Sequence, residues 1–133
     1  DNTDLGRELM KSAGDNIYFL GEKLNVQDYI INCDALVLTS LYEGMPITII
    51  EALQNGKPII STPVCGVIDV VNNGKNGYIS EDFSEESFCN ALENFVRERK
   101  RYFDETNYLD SKKMFDIKEC ANKYESLFKF ILG

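Results

Sequence analysis

The chain contains no histidine. That removes the usual general base at neutral pH, and with it the Ser-His-Asp and Cys-His arrangements of nucleophilic catalysis. Four cysteines, Cys33, Cys65, Cys89 and Cys120, stand far apart and form no CxxC pair. A zinc site needs paired ligand spacings, so none is expected, and reduced, mostly buried thiols are the simpler reading. The longest apolar runs, such as Ala35–Leu38 and Ile47–Ile50, are far too short to cross a bilayer. No basic-then-apolar leader opens the chain, and the start "DNTDLGRELMKSAG" lacks an initiator Met and reads as mid-protein sequence. Basic residues are outnumbered, 14 against 22 acidic, for a net charge of −8. An acidic chain without a basic stripe argues against sequence-independent nucleic-acid binding. The cluster Arg97, Arg99, Lys100 and Arg101 is interrupted by Glu98 and reads as a solvated helix face.

What the chain does have is regular alternation. Its 133 residues, 44% hydrophobic and 27% charged, suit one globular domain. Four short β-type runs stand out: Ile17–Leu20, Ala35–Thr39, Pro58–Ser61 and Tyr78–Ser80. They are continuously apolar, as strands covered on both faces are. Helical patterns separate them at Asp4–Ser12, Val26–Asn32, Pro46–Gln54, Val67–Asn72, Ser84–Arg101 and Ile117–Leu132. Asn55-Gly56 suits a helix C-cap with Pro58 beyond it, Ser84 opens the long helix, and "NNGKNG" is turn chemistry before the last strand. Tyr102–Phe115 has weak periodicity. Strands alternating with helices predict an α/β class, a Rossmann-like parallel sheet flanked by helices.

Ligands of such sheets gather beyond the carboxyl ends of the strands. There the chain places Gly21-Glu22-Lys23, then Ser40 through Pro46, then Thr62-Pro63-Val64-Cys65-Gly66. Pro46 suits a first helical position, which would make Met45 the N-cap, a residue with no side-chain acceptor for the first-turn amides. The N–H groups of Met45, Ile47 and Thr48 would then be available to a phosphate or diphosphate. Glu51 lies about 7 Å along the helix from Pro46, beside the stripe of Ile47, Ile50 and Leu53. A carboxylate accepts hydrogen bonds from a sugar diol. Glu43, the amides and Glu51 would thus meet a nucleotide-sugar in turn. The alternative leaves Glu43 complementing the helix dipole and Glu51 in water.

Glu43 and Glu51 also form the E-x7-E signature, and the stretch "NIYFLGEKLNVQDYIINCDALVLTSLYEGMPITIIEALQNGKPIISTPVCGVIDVVNNGKNGYI" resembles the donor-binding half of retaining glycosyltransferases of the GT-B fold, family 4 in particular. The late "KECANKYESLFKFI" is similar to that family's C-terminal helix. The resemblance implies transfer of a glycosyl unit from a nucleoside diphosphate sugar, UDP- or GDP-linked, with retention of configuration and without a bound metal or other cofactor. It implies that Glu43 faces the donor sugar as the catalytic residue. Gly44, Met45, Pro46 and Ile47 would line the donor sugar and diphosphate, and Glu51 would hold the ribose. Gly21, Lys23 and Asn25 would lie near the base. It further implies a surface polysaccharide or glycolipid product, a saccharide or lipid-linked acceptor, and a cytoplasmic location with an option of peripheral contact at the inner membrane face.

Two positions depart from the family pattern. Pro46 stands where many relatives have Gly, which removes one phosphate-facing N–H, and Asp69 stands where a longer Glu is common. The family also carries two strands before Asp4–Ser12, placed between Ile17–Leu20 and Ala35–Thr39, and an acceptor-binding N-terminal domain. None of these is in residues 1–133, so this single partial domain is not expected to turn over alone. Other classes fit less well. A phospho-receiver wants Asp residues after its early strands, whereas Asp34 precedes its strand; a nicotinamide module wants GxGxxG. A sugar-nucleotide epimerase usually needs acid/base residues, often including histidine. A non-catalytic nucleotide-binding or regulatory α/β module stays open.

Overall fold

A computed structural model describes residues 3–100, 110 and 112–133. Three parallel strands, β1 (Leu36–Leu38), β2 (Ile59–Ser61) and β3 (Gly77–Ile79), lie side by side in chain order. The register pairs Leu36 with Ile59 and Ile59 with Gly77. They are accompanied by helices α1 (Asp4–Ser12), α2 (Val26–Asn32), α3 (Ile47–Gln54), α4 (Val67–Val70), α5 (Glu85–Glu98) and α6 (Ile117–Leu132). The expected α/β class is the observed one.

Strand β2 shows why its sequence is continuously apolar. Ile59 turns into a cluster with Ile49, Ala52 and Leu53 of α3, Val64, and Val67 and Val70 of α4. Ile60 turns the opposite way, onto Ala91 and Phe95 of α5. Both isoleucines are fully buried. Helices on the two faces leave no solvent side, so period-two alternation vanishes, and the polar Ser61 that ends the strand is buried with its hydroxyl donated to the Thr62 carbonyl. Burying side chains of this size stabilises the fold by roughly 1.5–3 kcal/mol each.

One expected strand is absent. Residues 17–20 form no strand, and Ile17, Tyr18, Phe19 and Leu20 are all exposed. Apolar composition alone does not make a strand; a ladder of inter-strand hydrogen bonds does. No neighbour offers residues 17–20 such a ladder among the described residues. Tyr18 is 78% exposed as a result.

Helix boundaries follow their caps. Thr3, Ser84 and Asp116 each accept a first-turn N–H through a side-chain oxygen, opening α1, α5 and α6. At the other end of α3, Asn55 is the C-cap and Gly56 takes φ +66°, as the Asn-Gly pair suggests. The final strand begins one residue earlier than expected and α4 ends two residues sooner. Arg101 and residues 102–109 and 111, within the segment of weak periodicity, lie outside the described residues.

Candidate functional site

The carboxyl ends of β1 and β2 project two turns toward each other. After β1 the chain runs from Thr39 to Pro46 and enters α3; after β2 it runs from Thr62 to Gly66 and enters α4. Thr62, only 5% exposed, donates its hydroxyl to the carbonyl of Ser40. Its backbone N–H extends the β1–β2 pairing to the Leu38 carbonyl at 3.1 Å. Ser40 in turn donates its hydroxyl to Glu43 Oε1 at 2.8 Å. A buried residue of one turn is therefore linked through a shared neighbour to the carboxylate at the head of the other.

Helix α3 starts differently from the three side-chain-capped helices. Its N-cap is Pro46, with φ −63° and ψ 124°, and no side chain caps the first turn. This corrects the sequence expectation that Met45 is the N-cap and Pro46 the first helical residue. With ψ in the extended region, Pro46 sits just outside the helix, and its carbonyl already accepts from Ile49 N at 3.1 Å. The correction leaves the chemical point intact, because a proline has neither N–H nor side-chain acceptor. Among the described residues nothing accepts from the N–H of Gly44, Met45, Ile47 or Thr48. Four donors at the positive end of a helix are free for an anion.

The two acids stand on either side of this start. Glu43 is half-buried in the turn, held by Ser40. Glu51 is half-buried on α3, between the buried Ile49 and Leu53, and its carboxylate makes no hydrogen bond or ion pair among the described residues. Gly44, Met45 and Ile47 are exposed, Ile47 at 71%. The sequence pattern puts Ile47, Ile50 and Leu53 in a buried stripe; Leu53 is buried and Ile50 half-buried, but Ile49 and Ala52 complete the buried face in place of Ile47. Six residues before Leu53, Ile47 lies about 120° around the helix from it and faces outward.

Gly21, Lys23 and Asn25 lie in the exposed segment that leads into α2. Asn25 is the N-cap of α2, but its amide donates to the Asp28 carboxylate at 2.9 Å rather than capping the first turn. No hydrogen bond or ion pair ties these three residues to the turn at residues 40–46 among the described residues. The sequence places Thr62 and Ser40 in two of the loops beyond the strand ends, but not the hydrogen bond that joins them. The available signal is a hydroxyl residue close behind each of two neighbouring strands.

A depression of about 340 Å³ opens elsewhere, where β3 ends and α5 begins, lined by Tyr78, Ser80, Asp82, Ser84, Asn90 and Asn94 among others. Its polar groups mostly satisfy one another. Asp82 Oδ1 accepts from both the hydroxyl and the N–H of Ser84, and Ser87 Oγ accepts from the N–H groups of Glu81 and Asp82. The Ser84 hydroxyl bond, with its backbone bond second, holds the Asp82 carboxyl below its ordinary range. This hollow is a well-capped helix start. The open donors lie at α3.

No group of three or more potential metal ligands exists among the described residues, and no described helix is long and apolar enough to cross a membrane.

Comparison with known proteins gives the arrangement a context. Residues 8–110 match the family described as glycosyl transferases group 1. Over 117 residues the chain is 21% identical to the N,N'-diacetylbacillosaminyl-diphospho-undecaprenol alpha-1,3-N-acetylgalactosaminyltransferase of Campylobacter jejuni, covering 87% of this chain and 31% of that protein. Over 76 residues it is 36% identical to the UDP-Gal:alpha-D-GlcNAc-diphosphoundecaprenol alpha-1,3-galactosyltransferase of Escherichia coli, covering 57% of this chain and 20% of that one. The chain thus spans a third or less of the length of either relative. Among solved structures, sucrose-phosphate synthase from Thermosynechococcus elongatus superposes with a TM-score of 0.74 at 20% identity, over 96% of this chain and 33% of the other. That likeness shows the fold, a parallel α/β unit of the GT-B kind.

Proposed function

The chain belongs to the glycosyl transferases group 1, and from that membership we propose that it is the donor-binding part of a retaining glycosyltransferase. The observation that carries the proposal is the start of α3: four unpartnered N–H groups between two half-buried glutamates, in a chain whose α1, α5 and α6 are all side-chain capped. A nucleoside diphosphate sugar matches that order of groups. Its diphosphate meets the amides of Met45, Ile47 and Thr48, its sugar meets Glu43 and Gly44, and its ribose hydroxyls donate to Glu51. Pro46 shapes the turn without donating. Gly21, Lys23 and Asn25 serve the base side.

In the transfer step the bond between the anomeric carbon and the diphosphate oxygen breaks, a bond to an acceptor hydroxyl oxygen forms, and the hydroxyl proton passes to the departing diphosphate. Negative charge grows on the departing diphosphate. Amides already oriented toward it stabilise that charge without reorganising, an effect worth roughly 3 kcal/mol per well-placed donor. Glu43, oriented by Ser40, fixes the sugar. What these residues contribute is positioning and leaving-group stabilisation.

The names of the two relatives support a lipid-linked saccharide acceptor, and the Escherichia coli name supports a UDP-linked donor. The product would be a surface polysaccharide or glycolipid, made at the cytoplasmic side. The acceptor would bind a separate N-terminal domain, so residues 1–133 alone would bind donor without turning it over.

The test is titration of UDP, GDP and ADP into the wild type and Glu51→Ala by calorimetry. A nucleoside diphosphate that binds the wild type and binds the variant 10-fold or more weakly supports the reading, since a hydrogen bond to a charged group is worth roughly 1.5–3 kcal/mol. Binding indifferent to Glu51 would point to a generic nucleotide module.

A further inference from the structure

We propose that the turn after β2 is the positioning element of the donor site, with Thr62 and Gly66 setting where Glu43 and the Gly44–Met45 backbone stand. The proposal rests on the donor-site reading above. Neither residue needs to touch the ligand to act.

Thr62 works through hydrogen bonds. Its hydroxyl holds the Ser40 carbonyl, and the Ser40 hydroxyl holds Glu43 Oε1. Thr62 is almost fully buried while Ser40 and Glu43 are half-buried, so the chain of bonds runs from a fixed point outward to the site. Removing the threonine hydroxyl leaves the Ser40 carbonyl short of a partner and frees the turn that carries Glu43.

Gly66 works through contact. It takes φ +77° and ψ −42°, a conformation that side chains strain. A Cβ placed there would stand 2.1 Å from the Gly44 carbonyl oxygen and 3.0 Å from Met45 Cα. The two backbones already touch, so any side chain at position 66 must push one of them. The flanking residues decide which. Val64 and Val67 are anchored in the core at 2% and 0% exposure, whereas Gly44 and Met45 are exposed. The packed side holds and the Gly44–Met45 side gives, carrying two of the free N–H groups with it. Relieving the overlap needs a shift of about 1 Å, enough to take an N–H donor from about 2.9 Å to beyond hydrogen-bonding range of an anion.

The experiment compares the affinity for UDP, GDP and UDP-galactose, the last carrying the sugar that Glu43 would meet, by calorimetry, for the wild type, Thr62→Ser, Thr62→Val and Gly66→Ala, with the Tm of each. Thr62→Ser keeps the hydroxyl and is expected to bind within about twofold of the wild type. Thr62→Val is expected to bind about 10-fold more weakly and Gly66→Ala about 10- to 100-fold more weakly, each measured well below its own Tm. Rescue by serine separates the hydrogen bond from mere packing of the side chain. If Gly66→Ala does not fold, the valine and serine variants decide the matter. Wild-type binding that is unchanged in the folded Thr62→Val protein overturns the proposal alone. No binding of any of the three nucleotides to the wild type overturns the donor-site reading and the proposal with it.

Discussion

Leu53→Ala is the perturbation that ties the core to the site. Leu53 is fully buried on α3, in the cluster that includes Ile49, Ile59 and Val67. Truncation removes three carbon atoms from a packed interior, a transfer loss of roughly 2.4 kcal/mol at about 0.8 kcal/mol per carbon. The cavity left behind adds about 1–2 kcal/mol, because rigid neighbours on α3 and β2 relax only in part. The expected loss of about 3.5–4.5 kcal/mol is a large share of the roughly 5–15 kcal/mol that holds a domain together. Urea denaturation followed by far-ultraviolet circular dichroism should show a lower midpoint at an unchanged slope. Ile47→Ala, on the outward face of the same helix, should change stability by no more than about 0.5 kcal/mol. Equal losses in the two variants would mean that α3 does not pack on its Ile49–Leu53 face, and the placement of Glu51 would fail with it.

Two further outcomes follow from local chemistry. Burial pushes the Cys33 thiol above its ordinary range, while Cys65, Cys89 and Cys120 are exposed, which corrects the sequence expectation of mostly buried thiols. Alkylation at pH 8 followed by mass spectrometry should therefore label Cys33 last, since the thiolate is the reactive form, and labelling of Cys33 first would contradict its placement. Asp82 carries the opposite shift: its carboxyl is lowered from 3.8 by Ser84, so its contribution to stability is complete above that value and fades as pH falls through the lowered one. Asp82→Asn should remove this acid-side dependence from the denaturation midpoint, and an identical pH profile in both proteins would contradict it.

Much of the fold is legible in the order of the amino acids, for reasons that particular residues make plain. The strand at Ile59 announces itself because helices cover both its faces, which forces an apolar run, while the flanking strands at Leu36 and Tyr78 are apolar but less covered, Val37 being exposed. α1, α2 and α6 fall where their periodicity and flanking polar residues place them. The error at residues 17–20 is also instructive. Their composition matches that of the true strands, but pairing depends on a neighbour, and no local pattern reports whether one is there. Similarly, the uncapped start of α3 is legible in Gly44-Met45-Pro46, although its boundary moves by one residue. The links from Thr62 to Ser40 and from Gly66 to Gly44 are not legible, because they join residues 22 apart in the chain. Only the parallel register of β1 and β2 brings those turns together.

The decisive measurement is an amide-resolved NMR titration of the labelled chain with UDP and with GDP. Binding at the head of α3 predicts that the N–H signals of Gly44, Met45, Ile47 and Thr48 move together and saturate with one affinity, while those of Asn90 and Asn94 in α5 stay still. Shifts confined to the hollow at α5, with the four signals before and within α3 unmoved, would contradict the assignment of the donor site.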